Sequence, residues 1–199
     1  MKDVLAILGQ DKVLMKLIEL HGIKGPQTED DVYRVLLRSI TGQQLSTKAA
    51  DTIWNRFIGL FPDSYPATNL LLATDKEELR KTGLSYQKAE YVQNIARFHL
   101  ENDLNNAAFK EASDEDIILQ ICSIKGVGIW TAQMLLIFGL GRENVFPLND
   151  LGIKSAMISL YGIQSSGKQL NNDLEEIANH WSPYRTYACK LLWMWRDLK

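Results

Sequence analysis

The sequence predicts an all-α fold with about ten helices. Apolar residues recur at intervals of three and four along most of its 199 residues, which places them on one face of each helix. No segment shows the strict apolar–polar alternation of a half-buried strand. The chain has only 13 glycines and 5 prolines to interrupt the helical pattern, so long helices are expected.

Apolar stripes and capping residues predict five helices in the first half of the chain. The first ends at Gly22 and the second begins after Thr28–Asp31. A short helix follows the capping-box sequence Thr74–Glu77 and ends at Gly83, and Ser85 caps the next one. The inward-facing residues are Val13, Leu14, Leu17 and Ile18; Val32, Val35, Leu36 and Ile40; Ala49, Ile53, Trp54 and Phe57; and Ala89, Val92, Ile95 and Ala96.

The second half of the chain predicts four more helices. Ser113 caps one, and residues 130–140 form another after a glycine-rich turn. Asp150 precedes a helix that ends at Gly162. Ser182–Pro183 provides an N-cap and a first residue for the last helix.

Composition excludes several classes of protein. Two cysteines and three histidines are too few for a disulfide framework, a four-cysteine zinc site or a cysteine-ligated iron–sulfur cluster. The longest apolar run, Met134–Leu140, is too short to span a bilayer. The net charge of −2 argues mildly against a nucleic-acid partner. However, six acids lie between Glu101 and Asp116, in a predicted surface connector, and a positive face elsewhere is compatible with this distribution.

Gly126 and Gly128 stand one residue apart between two predicted helices. Glycines allow a tight turn and leave backbone N–H groups uncovered at a helix N-terminus, where an anion such as DNA phosphate can bind. A helix–helix turn without any ligand explains the same two glycines. The pair alone leaves both interpretations open.

The residues around this turn resemble the helix-hairpin-helix DNA glycosylase superfamily. The string Ile124–Ala132 is similar to the hairpin of that family. Val145–Asp150 follows it, and Asp150, 22 residues after Gly128, stands at the spacing of the family's catalytic aspartate.

Two further segments carry the resemblance. Ser39–Ser46 is similar to the family's minor-groove wedge, and Trp181–Ala188, with Trp193 beyond it, is similar to the C-terminus of 3-methyladenine DNA glycosylase II. The four motifs occur in the family's order over residues 10–197. Together they make the resemblance specific, whereas each alone would be weak.

The resemblance implies a fold and an activity. The chain would form a single glycosylase domain over residues 1–199, with a middle lobe at about 32–126, a second lobe from about 1–31 plus 127–199, and the active-site cleft between them. It would be an enzyme of the DNA-3-methyladenine glycosylase II type, which hydrolyses the N-glycosidic bond of alkylated purines (3-methyladenine and 7-methylguanine) in base excision repair. Superfamily members that also cut the strand carry a lysine at the position of Trp130, so a monofunctional enzyme is expected.

The resemblance also assigns the catalytic group and the base pocket. Asp150 would stabilise the oxocarbenium-like sugar and orient the attacking water, although an aspartate before a helix is by itself usually only an N-cap. Trp130, Met134, Leu151 and Trp193 would line the pocket, where aromatic faces favour a cationic base. The family can carry tyrosines at Met134 and Leu151. Without the motifs, both tryptophans would be interpreted as core residues.

The same resemblance places DNA contacts on the wedge and the hairpin. Gln44, with Leu45 beside it, would fill the space left by the flipped nucleotide; the alternative is a polar loop with Leu45 in the core. The full set of expected DNA-binding residues is Gln43, Gln44, Leu45, Lys125, Gly126, Val127, Gly128 and Thr131.

Cofactors and partners follow from the resemblance as well. No cofactor is required, and a Na⁺ or K⁺ ion could bind the backbone carbonyls of Cys122, Ile124 and Val127. The expected partner is double-stranded DNA with a damaged base, bound by a monomer without a membrane, in the cytoplasm at the nucleoid of a bacterium or in the nucleus of a eukaryote. Two alternatives stay open: a glycosylase for another damaged or mismatched base, and a non-catalytic helix-hairpin-helix DNA-binding protein.

Overall fold

The structure, a computed structural model, describes residues 1–26, 28–102, 104, 107, 109 and 111–198. Within these ranges it contains no β-strand, which confirms the all-α prediction. No helix in this part of the chain combines the length and apolar character needed to cross a membrane. The described α-helices are α1 (Lys2–Leu8), α2 (Lys12–His21), α3 (Val32–Gly42), α4 (Thr47–Ile58), α5 (Thr68–Ala73), α6 (Lys76–Lys81), α7 (Tyr86–Asn102), α8 (Asp114–Cys122), α9 (Ile129–Met134), α10 (Leu151–Tyr161), α11 (Gly167–Asn179) and α12 (Arg185–Asp197).

Most of the predicted helix ends are confirmed by their capping bonds. Asp31 accepts the amide of Arg34 at the start of α3, and Ser113 accepts that of Asp116 at the start of α8. Gly162 ends α10 in the left-handed conformation, with φ at 66°, because glycine adopts this region without steric cost. These ends depend on a few neighbouring residues, and local sequence therefore predicts them.

Other boundaries differ from the prediction. The cap of α6 is Asp75, which accepts the amide of Glu77, while the hydroxyl of Thr74 donates backwards to the carbonyl of Leu70. The last helix begins at Arg185 rather than at Pro183. The amide of Tyr184 donates to the carbonyl of Trp181 at 2.7 Å, and residues 181–184 therefore form a turn before the helix.

The prediction missed some elements and merged others. Helices α1, α5 and α11 were not expected. The helix predicted over residues 130–140 is α9 followed by a π-helical turn, Leu135–Gly139. In the acidic connector, α7 continues to Asn102, and residues 103, 105, 106, 108 and 110 lie outside the described part of the chain.

The chain divides into two compact units. We call Met1–Thr28 plus Gly141–Lys199 the terminal unit and Glu29–Leu140 the middle unit. The predicted boundary at residues 126 and 127 is therefore wrong for residues 127–140. These residues belong to the middle unit because α9 packs on α3 and α8, and the π-helical turn packs on α3.

Each unit has its own hydrophobic core. In the terminal unit, α12 packs on α2 and α10 around the buried Trp181. In the middle unit, α3 packs on α4, α7 and α9, and its residues Leu36, Leu37 and Ile40 are completely buried. These cores hold the helix ends that carry the candidate site residues.

Candidate active site

Asp150 lies at the start of α10 with its carboxyl group held by two donors. Oδ1 accepts the backbone N–H of Ile153 at 2.8 Å and the indole N–H of Trp193 at 2.9 Å. The residue is only 8% exposed. Asp150 is therefore an N-cap, and the two bonds also fix its carboxyl group beside a tryptophan ring of α12.

The loop before Asp150 is attached to the first turn of α12. The buried hydroxyl of Thr186 donates to the carbonyl of Arg142 at 2.7 Å and accepts the amide of Val145 at 3.1 Å. Arg185 Nε donates to the side chain of Asn144 at 2.8 Å. These bonds fix the course of the chain into Asp150, so α12 positions the carboxylate through its backbone as well as through Trp193.

Gly152, in the first turn of α10, makes room for an arginine near the carboxylate. A Cβ at this position would overlap the guanidinium of Arg196, and it would lie 3.0 Å from Asp150 Oδ1. The guanidinium and the carboxylate therefore approach the same point on the helix. Sequence reasoning did not single out Arg196; the only signal was the glycine two positions after Asp150.

The four predicted pocket residues have different environments. Trp193 is half-buried and donates a hydrogen bond to Asp150. Leu151, which follows Asp150 in the sequence, is 71% exposed. Trp130 is half-buried in the first turn of α9. Met134 is 4% exposed, so its side chain offers almost no surface to a base and packs as a core residue.

The two hairpin glycines differ in backbone conformation and in the space around them. Gly126 has a φ of +97°, and a Cβ there would overlap the ring of Tyr91. Gly128, the N-cap of α9, has a φ of −104°, which any residue adopts, and its Cβ would have no neighbour within 4 Å. The fold therefore requires glycine at position 126, while position 128 presents an exposed, uncovered backbone.

Lys125 is exposed and forms an ion pair beside the hairpin. Its Nζ lies 2.6 Å from Oε1 of Glu90 on α7. The hydrogen bond and the negative charge of Glu90 raise the pKa of Lys125, and Lys125 lowers the pKa of Glu90. An exposed pair of this kind contributes little to stability, so the lysine can exchange Glu90 for a phosphate at small cost.

The predicted wedge segment, Ser39–Ser46, comprises the last turn of α3 and the turn that leads to α4. Gln44 at its tip is exposed, with a φ of +58°, and Leu45 is half-buried. The side-chain amide of Gln43 donates to the hydroxyl of Thr131 on α9 at 2.8 Å. Thr131 is completely buried, so its side chain connects the wedge to the hairpin helix and offers no surface to DNA.

The hairpin turn contains the backbone carbonyls expected to hold a monovalent cation. The carbonyl of Ile124 accepts the amide of Val127 at 3.0 Å, and a carbonyl oxygen has a second lone pair for an ion. In the described ranges, no group of three or more His, Cys, Asp or Glu side chains could hold a metal ion. The Cys122 thiol is half-buried, and burial raises its pKa, which disfavours the thiolate form.

Comparison with known families identifies the superfamily. A family model described as HhH-GPD superfamily base excision DNA repair protein matches residues 37–180. This chain belongs to that superfamily. The match spans the wedge, the hairpin and Asp150, and it confirms the resemblance predicted from the sequence.

Two relatives of this HhH-GPD chain carry the name DNA-3-methyladenine glycosylase, in one case as a putative one. It is 33% identical to the putative DNA-3-methyladenine glycosylase YfjP of Bacillus subtilis over 192 residues, an alignment that covers 94% of this chain and 66% of that protein. It is 31% identical over 198 residues to DNA-3-methyladenine glycosylase 1 of Schizosaccharomyces pombe, covering 96% of this chain and 86% of that protein. The chain thus spans about two thirds of the Bacillus relative.

Solved structures show the same fold. The 3-methyladenine DNA glycosylase Mag1 of S. pombe, in complex with abasic DNA, superposes with a TM-score of 0.88 at 29% identity, over 97% of this chain and 95% of that one. MBOgg1, in complex with a low-affinity DNA ligand, reaches 0.84 at 20% identity, which shows the fold alone. The predicted helix-hairpin-helix glycosylase fold is confirmed.

Proposed function

We propose that this protein is a monofunctional DNA glycosylase that removes alkylated purines, 3-methyladenine and 7-methylguanine, from DNA in base excision repair. One observation carries the proposal: a member of this superfamily holds Asp150, largely buried, against the indole N–H of Trp193. A carboxylate fixed beside an aromatic ring is the group that cleavage of a cationic nucleotide requires.

Asp150 acts on the sugar of a nucleotide flipped out of the duplex. The bond between C1′ and the base nitrogen breaks with its electron pair leaving on the base, so the cationic alkylated purine departs neutral. The sugar develops positive charge, which the Asp150 carboxylate stabilises. A water molecule then bonds to C1′ and loses a proton to Asp150, leaving an abasic site.

Recognition of the base rests on the tryptophans. Methylation at N3 or N7 makes the purine cationic, and a tryptophan face attracts such a ring through stacking and cation–π interaction. Trp193 in the terminal unit and Trp130 in the middle unit are each candidates for this contact. Both rings are half-buried, so part of each is accessible. Leu151 adds an exposed apolar wall.

The wedge and the hairpin bind the duplex. Gln44, exposed at the tip of its turn, fills the vacated stack, with Leu45 beside it. The uncovered backbone at Gly128 and the side chain of Lys125 contact phosphate. A Na⁺ or K⁺ ion on the carbonyls of Cys122, Ile124 and Val127 would add a positive charge between hairpin and phosphate.

Strand cleavage is not part of the proposed activity. A lyase of this superfamily would need a lysine amine at position 130, which is tryptophan in this chain. Lys125, the nearest lysine before it in the sequence, pairs with Glu90. The protein would act as a monomer on double-stranded DNA, in the nucleoid of a bacterial cell or the nucleus of a eukaryotic one.

A glycosylase for another damaged base is the second candidate. Two observations favour it: Met134 is buried and Leu151 is exposed, where relatives can carry tyrosines. Fewer aromatic walls change which bases fit. Release of hypoxanthine and uracil, compared with 3-methyladenine and 7-methylguanine from defined duplexes, separates the two candidates.

The test is single-turnover release of methylated bases from alkylated duplex DNA by Asp150→Asn. Asparagine keeps an oxygen that accepts the bonds from Ile153 and Trp193 but removes the charge. We expect release to fall about 100- to 1000-fold, with binding to an abasic duplex within about twofold of wild type. Asp75→Asn, at the exposed cap of α6, is the matched control and should keep full activity.

Three results would contradict the proposal. Release by Asp150→Asn near the wild-type rate would remove the aspartate from the mechanism. Duplex binding without any base release by wild type would favour a non-catalytic DNA-binding protein. A covalent adduct with DNA trapped by borohydride would show a lyase step through an amine.

A further inference from the structure

A lysine on α7 is bound into the turn that carries Gln44. Lys88 Nζ donates to the carbonyl of Thr41 at 3.1 Å and to the carbonyl of Gln43 at 2.8 Å. Both carbonyls lie at the C-terminal end of α3, where a helix leaves its last carbonyl groups without intrahelical donors. An ammonium group at this end also complements the helix dipole.

The environment of Lys88 fits a fixed role rather than a mobile surface charge. The side chain is half-buried, and burial lowers its pKa. Among the described residues, no carboxylate forms an ion pair with it. Its charge is therefore directed at the two carbonyls, and hydrogen bonds from a charged donor are the stronger kind.

The turn itself has an unfavourable backbone conformation at Gln44. A φ of +58° places this residue in the left-handed region, which is sterically unfavourable for a residue with a side chain. Two contacts of the preceding residue, Gln43, offset this cost: its carbonyl accepts a hydrogen bond from Lys88, and its side-chain amide donates to the buried Thr131. The wedge is thus held by α7 and by α9.

We propose that Lys88 is a positioning residue that holds Gln44 in the conformation in which it enters the duplex. The inference rests on the proposed function of the turn as a wedge. Insertion of Gln44 fills the space left by the flipped nucleotide and stabilises the complex. A mobile turn would have to be ordered on insertion, and this cost would cancel part of the stabilisation. A preorganised turn keeps that stabilisation.

The test compares Lys88→Met with a variant that loses the same kind of contact elsewhere. Gln93, also on α7, donates its side-chain amide to the carbonyls of Leu71 and Thr74, at the end of α5. Gln93→Met therefore removes two bonds to the end of another helix and leaves the wedge intact. Lys88→Arg retains a charged donor, and Gln44→Ala removes the side chain that Lys88 would position.

Two readouts are measured for each variant. The first is single-turnover release of methylated base from alkylated duplex DNA. The second is the fluorescence of 2-aminopurine placed opposite an abasic-site analogue, which reports insertion without requiring catalysis. Melting temperatures are measured in parallel, since Lys88→Met and Gln93→Met should lower stability to a similar extent.

We expect Lys88→Met to slow release and reduce insertion about tenfold, the effect of losing bonds from a charged donor. Gln93→Met should stay within twofold of wild type, and Lys88→Arg should recover most of the loss. In the Gln44→Ala background, Lys88→Met should have no further effect, because the side chain it positions is gone.

Two outcomes would overturn the inference. Equal losses in Lys88→Met and Gln93→Met would show a purely structural role for the lysine. A tenfold loss from Lys88→Met in the Gln44→Ala background would show that Lys88 acts independently of the wedge. If wild type releases no base, the proposed function fails, and the fluorescence readout still tests Lys88.

Discussion

Replacing the two hairpin glycines by alanine should have opposite consequences. At Gly126, alanine would need a φ of +97° and would overlap the ring of Tyr91. The backbone strain and the displaced ring together should cost about 2–4 kcal/mol. For a chain of 199 residues, this lowers the Tm by about 5–15 °C.

At Gly128, the methyl group meets no protein atom within 4 Å, and the φ of −104° is allowed for alanine. Alanine is a weaker N-cap than glycine, but it also lowers the entropy of the unfolded chain, and the two effects largely cancel, so stability should change by no more than about 0.5 kcal/mol. Duplex affinity should fall about fivefold or more, because the methyl group lies where a phosphate would approach the backbone.

Thermal melting by circular dichroism and fluorescence anisotropy with an abasic duplex, at several salt concentrations, measure the two effects. The Gly128→Ala variant should lose affinity at every salt concentration and melt as wild type does. Wild-type affinity in this variant would refute the interpretation of the hairpin as a phosphate site. A Gly126→Ala variant as stable as wild type would refute the steric explanation.

Two further predictions concern residues of the terminal unit. Asp11 caps α2 through Oδ1, and its Oδ2 accepts hydrogen bonds from Tyr161 Oη and from the indole N–H of the buried Trp181. Asp11→Ala should therefore lower the free energy of unfolding by about 3–5 kcal/mol and the Tm by about 10 °C. A fall in Tm of less than about 2 °C would contradict this network. Trp193→Phe keeps a ring but removes the N–H that fixes Asp150, so single-turnover base release should slow about tenfold. An unchanged rate would show that this bond does not position the carboxylate.

Local signals explain why much of the fold could be predicted. Asp31, Ser113 and Asp150 each accept the amide N–H of the residue three positions ahead. The start of each of these helices can therefore be predicted from a few neighbouring residues. The error at Ser182–Pro183 also comes from reading only neighbouring residues. The pair fits the start of a helix, but the amide of Tyr184 donates to the carbonyl of Trp181, and the helix begins only at Arg185.

The candidate site was predicted less completely because its contacts join distant parts of the chain. The role of Asp150 was predicted from the resemblance of the surrounding motifs to a family. Its hydrogen bond to Trp193 was not predicted, because the two residues are 43 positions apart in the sequence. Lys88 gave no sequence signal, and Gly152 leaves room for a side chain without identifying Arg196. Neither the end of α3 nor the first turn of α10 reveals which side chain will reach it. Met134 and Thr131 are buried, a property set by packing that spacing alone does not predict.

The central claim is that the Asp150 carboxylate stabilises positive charge on the sugar. Affinity for two duplexes tests it directly, one with a cationic pyrrolidine at the abasic position and one with a neutral tetrahydrofuran there. Wild type should prefer the cationic duplex by at least about tenfold, and Asp150→Asn should lose this preference while binding the neutral duplex as wild type does. An equal preference for the cation in both proteins would contradict the claim.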